Sequence, residues 1–178
     1  MIARLATRFR CLIGRFHSDQ RGSVLVEMTL ITPLMVALSG GVFEFGNLIH
    51  QKLLMEAGLN DAARFAARCN SQLYIDAGLA IDCADRAKNI AVFGNSAGTG
   101  TARVPGWAKA DVTIAIAAPA SCYDAVVAGV TQYRSTTAKV CIVRASGSKV
   151  YSGVGMLSAI GIGAITLNAA HEERYIRF

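Results

Sequence analysis

From Met28 to Phe43 sixteen consecutive residues carry no charge, and back to Ser23 the stretch is twenty-one residues long with Glu27 as its single charged side chain. A bilayer's hydrocarbon core needs about 20 apolar residues in helical form, so this run is long enough to cross a membrane. A carboxylate inside such a run costs about 2–3 kcal/mol on insertion scales unless it meets a partner. Glu27 is therefore expected to have a function. The alternative is a carboxylate held at headgroup level and kept solvated.

Charge on either side of the run gives it a direction. Residues 1–22 contain five arginines and one aspartate, so +4 of the net +6 lies in this short leader, while the remaining residues hold thirteen basic and eleven acidic side chains. Arginines beside a span favour a cytoplasmic N-terminus by the positive-inside rule. The same placement removes the nucleic-acid reading that a high isoelectric point invites, because no basic patch interleaved with aromatics occurs elsewhere. Within the leader, Leu5, Phe9, Leu12, Ile13 and Phe16 recur at helical spacing with Arg4, Arg8 and Arg15 on other positions. That is either an amphipathic helix on an anionic leaflet or a disordered basic leader.

Pro33 removes a backbone donor within the run and is expected to kink it, with Thr29 and Thr32 placed to supply replacement contacts. Beyond Glu44 the helical period continues. Phe45, Leu48, Ile49, Met55, Leu59, Ala62, Ala63 and Ala66 follow steps of three and four, and Gln51, Lys52, Glu56, Asn60, Asp61 and Arg64 take other faces. One helix is thus expected from about Ser23 to Arg68, roughly 70 Å long at 1.5 Å per residue.

The rest of the chain reads as a small mixed domain. A turn-rich connection spans residues 70–81, then Asp82 caps a helix over Cys83–Phe93 that Gly94 ends. Residues 94–101 form a loop without the lysine pattern of a phosphate-binding loop. From Trp107 the period becomes two. Strands are expected at Val112–Ile116 running on to Pro119, at Lys139–Ala145, at Ser148–Val154 and at Ile162–His171, with turns at Ser146-Gly147 and between Gly153 and Gly163. The tail after His171 either extends the last strand or frays. The expected fold class is α+β: a long N-terminal transmembrane helix running into a periplasmic domain with an antiparallel sheet and a short second helix.

Cys11 lies in the leader, whereas Cys69, Cys83, Cys122 and Cys141 follow the span. Four cysteines on an exported domain imply two disulfides, and the absence of any C-x-x-C weakens zinc and redox readings. Of the three connectivities, the sequence-local one, Cys69 with Cys83 and Cys122 with Cys141, is favoured. Neither a metal site nor a cofactor is expected. His17, His50 and His171 show no ligand spacing, and hydrolase elbows, Walker loops and dinucleotide fingerprints are absent. A Cys122–His171 nucleophile pair is the residual catalytic reading, set against the ordinary use of exported thiols in disulfides.

Gly22, Glu27 five positions later, Pro33, the Gly-Val-Phe-Glu-Phe-Gly of Gly41 to Gly46, and the Ala62-Ala63-Arg64-Phe65-Ala66-Ala67-Arg68 run resemble the TadE-like minor pseudopilins of the tight-adherence (Tad) pilus system. The resemblance covers about Arg21 to Arg68, and it departs at Met28, where an aromatic residue commonly follows the glutamate. It implies a non-enzymatic pilus component in the bacterial inner membrane. Prepilin peptidase would cut after Gly22 to expose Ser23, and other pilin and pseudopilin subunits would be the partners. The organisation it implies is a basic cytoplasmic leader over 1–22, a transmembrane segment over 23–43, a projecting helix over 44–68 and a periplasmic domain over 69–178. Glycine before the scissile bond suits an extended backbone close to a protease. Two other readings remain at this point. A secreted binding protein would be released after Ser39, and a single-pass anchor would stay uncleaved. The mature N-terminus distinguishes them: Ser23, Gly40 or Met1.

Overall fold

A computed structural model describes residues 21–116, 121–132, 139–153, 155–159 and 161–176. The expected leader helix, Cys11, His17 and Pro119 lie outside these residues. The chain divides into two compact units, Met1–Phe43 and Glu44–Phe178.

Helix α1 covers Arg21–Arg68, 48 residues, without interruption at Pro33. The threonine hydroxyls near the proline bond back into the helix, Thr29 Oγ1 to the Leu25 carbonyl at 2.7 Å and Thr32 Oγ1 to the Met28 carbonyl at 2.6 Å. They saturate carbonyls of the preceding turn rather than the Thr29 carbonyl that Pro33 leaves without a donor. In the first unit the side chains from Val24 to Phe43 are exposed all round, Leu25 at 70% and Phe43 at 78%. A helix this apolar, covered by none of the described residues, is suited to lipid.

In the second unit α1 buries one stripe. Gln51, Met55, Gly58, Leu59, Ala62, Ala63, Ala66 and Ala67 are all buried, at the three- and four-residue steps of a single helix face. Phe45 and Ile49, expected on that stripe, are instead exposed, while Gln51 sits on it. The stripe packs on Val112, Val143, Ala145 and Leu167 of the sheet and on Ala87, Ala91 and Val92 of a second helix.

That second helix is preceded by an element the sequence reading treated as a turn. Asn70 caps α2, Ser71–Asp76, whose side chains are none of them buried. Helix α3 follows at Cys83–Phe93, with the Asp82 carboxylate accepting from the Ala84 and Asp85 amides and Gly94 closing the helix at φ 74°. A short 3-10 turn at Lys109–Asp111 then leads into the strands.

The strands are β1 (Val112–Ile116), β2 (Cys122–Asp124), β3 (Val126–Val127), β4 (Val130–Thr131), β5 (Lys139–Val150) and β6 (Thr166–Arg174), with a one-turn helix, α4, at Met156–Ala159 between the last two. β5 is the centre of the sheet and pairs antiparallel with β1, β2 and β6. β3 and β4 form a separate hairpin around Ala128 and Gly129, both at positive φ, the backbone a two-residue turn requires. The two strands expected at Lys139–Ala145 and Ser148–Val154 are one, because Ser146-Gly147 is not a turn. A Cβ on Gly147 would stand 3.1 Å from the Trp107 ring and 3.3 Å from the Asp111 carbonyl, so this glycine marks a close approach inside a strand. β6 begins four residues later than expected and continues past His171 to Arg174.

Disulfides join Cys69 to Cys83 and Cys122 to Cys141. The first links the end of α1 to the start of α3. The second crosses a register pair of β2 and β5.

Small residues set the spacing between α1 and α3. A Cβ on Gly58 would collide with the Ala91 carbonyl and stand 3.3 Å from the Trp107 ring, whereas one on exposed Gly46 would meet nothing within 4 Å. Alanine gains about 1 kcal/mol of helix propensity over glycine at either position. At Gly58 overpacking against backbone, typically about 1–3 kcal/mol, opposes that gain. Gly46→Ala is therefore expected to raise the melting temperature of the detergent-solubilised chain, and Gly58→Ala to lower it by several degrees. Equal shifts in the two variants would show that α1 and α3 are not packed this closely.

Candidate functional site

Gly22, Ser23 and Glu27 occupy the first two turns of α1 and are exposed. Ser23 and Glu27 are four residues apart and share a helix face. Nothing lies within 4 Å of a Cβ placed on Gly22, and Glu27 forms no ion pair with another described residue. This end of the helix therefore offers an accessible glycine and an isolated carboxylate set among exposed apolar side chains.

A second carboxylate on the same helix is treated in the opposite way. Glu44 is 2% exposed. It begins a polar continuation of the buried stripe, Glu44, Asn47 and Gln51, spaced three and four residues apart, and these side chains meet the chain just past β5. The Tyr151 hydroxyl donates to the Glu44 carbonyl at 3.1 Å and accepts from Asn47 Nδ2 at 3.2 Å. Gln51 Nε2 reaches Asn47 Oδ1 at 3.4 Å and the Ser152 carbonyl at 3.5 Å. Nearby Lys149 is 8% exposed and donates to the Val150 carbonyl and the Ser152 hydroxyl at 3.2 and 3.3 Å. A Cβ on Gly153 would overlap the Glu44 carboxylate and crowd the Tyr151 ring. A larger residue here would have to displace the Glu44 carboxylate and the Tyr151 ring.

A cavity of about 260 Å³ opens beside this seam, lined by Glu44, Tyr151, Gly153, Leu157 and Ile162 among others. Its walls are mostly apolar, with no array of convergent polar groups. The Tyr151 phenol is raised above its ordinary value of 10.0, first by burial and further by the Glu44 charge, with the Asn47 hydrogen bond acting against both. Elsewhere the second unit carries exposed pairs: Arg103 with Asp61 at 2.7 Å, Lys109 with Asp85 at 2.6 Å and Arg144 with Glu172 at 3.0 Å. Among the described residues no three His, Cys, Asp or Glu side chains stand together as a metal site. Cys122 is held in its disulfide, so it is not a thiol available to His171.

The sequence reading singled out Gly22, Ser23, Glu27 and the four cysteines. Glu44 entered there only as part of a motif, Gln51 was expected on another face, and Asn47 and Tyr151 were not among the candidates. The available signal was the stripe itself: Gln51 lies four residues before Met55, and Asn47 and Glu44 continue the same face towards the span.

For Tyr151 the sign of the pH effect follows from the raised phenol. Stability from the neutral phenol is complete below about pH 10, the unfolded value, and is lost as pH rises towards the folded one. Tyr151→Phe is expected to be less stable at neutral pH by about 1 kcal/mol, the usual net worth of a hydrogen bond. Its melting temperature should also fall less steeply than that of the native chain above pH 10. Parallel curves for the two proteins would remove Tyr151 as a half-buried hydrogen-bonding link.

The comparison with curated proteins yields no match, and neither does the comparison with solved structures. The family model described as TadE-like protein matches residues 22–64, beginning at the accessible glycine and ending near the close of α1. The chain thus carries a TadE-like segment at its N-terminal helix.

Proposed function

We propose that the chain is a minor pseudopilin contributing to assembly of a Tad-type type IV pilus, matured by prepilin peptidase after Gly22. The observation that carries this reading is the TadE-like match beginning at Gly22, on a helix whose uncharged run is broken by one exposed carboxylate. Before assembly the protein sits in the bacterial inner membrane, with its basic leader in the cytoplasm and its disulfide-bonded domain in the periplasm.

Cleavage converts the amide between Gly22 and Ser23 into a carboxylate on the leader and an ammonium on Ser23. Glu27 of one subunit then pairs with the Ser23 ammonium of a neighbouring pilin or pseudopilin. Each group offsets the desolvation of the other in lipid, and removing one leaves an uncompensated charge, a loss of about 3–5 kcal/mol in protein interiors. Assembly is in this way conditional on processing.

Gly22→Leu is expected to leave full-length precursor in the membrane. A Gly22→Leu protein trimmed to the native mature N-terminus would overturn the processing step. Glu27→Gln keeps size and hydrogen-bonding capacity while removing charge, so the protein is expected to insert and be trimmed normally yet fail to support pili. Glu27→Asp should be intermediate, since the charge is kept with a shorter reach. Normal pili from Glu27→Gln at native protein levels would show that the charge pair is dispensable.

A further inference from the structure

The stretch from Val150 to Ala170 has 21 residues without a single Asp, Glu, Lys or Arg, the longest such run in the chain. It includes the connection between β5 and β6, a glycine-rich loop with the one-turn helix α4 inside it. A connection across solvent normally carries polar and charged residues. This one presents Ile162 at 40% exposure alongside exposed Gly161, Gly163 and Ala164, with Val150, the last residue of β5, at 56% beside it.

The place where this loop is fastened identifies what covers it. Tyr151 binds the Glu44 carbonyl and Gly153 lies over the Glu44 carboxylate. In the chain Glu44 directly follows Phe43, the last residue of the uncharged run, so its Cα is about 3.8 Å from the end of that run. The two ionisable side chains nearest the fastening, Glu44 and Lys149, are withdrawn to 2% and 8% exposure. Along α1 charge returns to the surface only at Lys52, about 12 Å further on at 1.5 Å per residue. That distance exceeds the depth of a headgroup layer, about 5–8 Å on each side. A neutral, apolar, glycine-rich loop pinned at this level is suited to the bilayer interface, where apolar side chains gain from burial and backbone polar groups can still meet headgroups and water.

We propose that the loop between β5 and β6 is a membrane-interface element, resting in the headgroup region on the side where the uncharged run ends, with Ile162 and Val150 in contact with lipid. The proposal depends on residues 23–43 spanning the bilayer, and it assigns to the folded domain a second membrane contact besides the helix. Its consequence is that the domain is docked on the bilayer and must lift from it when a subunit leaves the membrane.

The test uses the full chain reconstituted into phosphatidylcholine vesicles, with single tryptophans introduced at Ile162, Leu34 or Val127 and phospholipids brominated near the headgroup end or deep in the acyl chain. Native Trp107 is 2% exposed inside the domain and gives the common background. Leu34→Trp is expected to be quenched by the deep label, Ile162→Trp by the shallow label with a blue-shifted emission, and Val127→Trp, on the exposed β3–β4 hairpin, by neither. Quenching at Leu34 without quenching at Ile162 overturns the interface proposal and leaves the span intact. Absence of quenching at Leu34 overturns the span and the proposal with it. A photocrosslinker at Ile162 gives a second measurement. Adducts to lipid are expected, and adducts only to a second copy of the chain would assign the loop to a subunit interface instead.

Discussion

The domain depends on the burial of one face of one helix. From Met55 to Ala67 the stripe on α1 supplies Met55 and Leu59 as its bulky members and then alanine after alanine, all fully or nearly fully buried. Bulk at one end and small residues at the other allow the sheet and α3 to approach the helix at different distances. Gly58 is the extreme case, where the Ala91 carbonyl occupies the space a side chain would need. Glycine there weakens the helix locally, and the packing it permits is what offsets that cost. The central strand β5 answers with Val143, Ala145 and Gly147 on its inward side, so close contact is prepared on both partners.

Two carboxylates on this helix illustrate how context decides what a charge does. Glu27 stands exposed in an apolar run, in a setting where lipid would surround it, and its energetics call for an opposite charge from another molecule. Glu44 lies seventeen residues on, enclosed by Asn47, Tyr151 and the backbone of Gly153. The Tyr151 hydroxyl bonded to the Glu44 main-chain carbonyl ties the start of the domain to the end of β5. On the proposed pseudopilin reading the first carboxylate serves assembly between subunits, whereas the second lies within one folded domain.

The disulfides reinforce the same plan from the periphery. Cys69–Cys83 closes the loop carrying α2, a helix with no buried side chain and so little packing of its own. Cys122–Cys141 holds the short strand β2, only three residues long, on β5. In both cases a covalent link secures a segment that hydrophobic burial would hold weakly. In the chain-entropy model, closing loops of this size is worth about 3 kcal/mol each.

Much of this was legible in the residues because it depends on local pattern. A run free of charge, a three-four period and the Asp82 and Gly94 caps define α1 and α3 without knowledge of their partners, since capping and amphipathicity act within a few residues. The TadE-like resemblance likewise rests on a short contiguous segment. What local pattern misread were the positions whose meaning comes from a distant neighbour. Ser146-Gly147 has the composition of a turn, yet Gly147 is glycine because the Trp107 ring and the Asp111 carbonyl approach it. Gln51 has the polarity of a surface residue, yet it is buried because Asn47 and the Ser152 carbonyl, the latter about a hundred residues away, receive its amide. Phe45 has the character of a core residue, yet it faces outward because the stripe turns polar at Glu44 and Asn47. Periodicity determines which residues share a helix face or a strand face. Which face is buried, and which glycine is a contact rather than a bend, is settled only when another part of the chain arrives to fill the space.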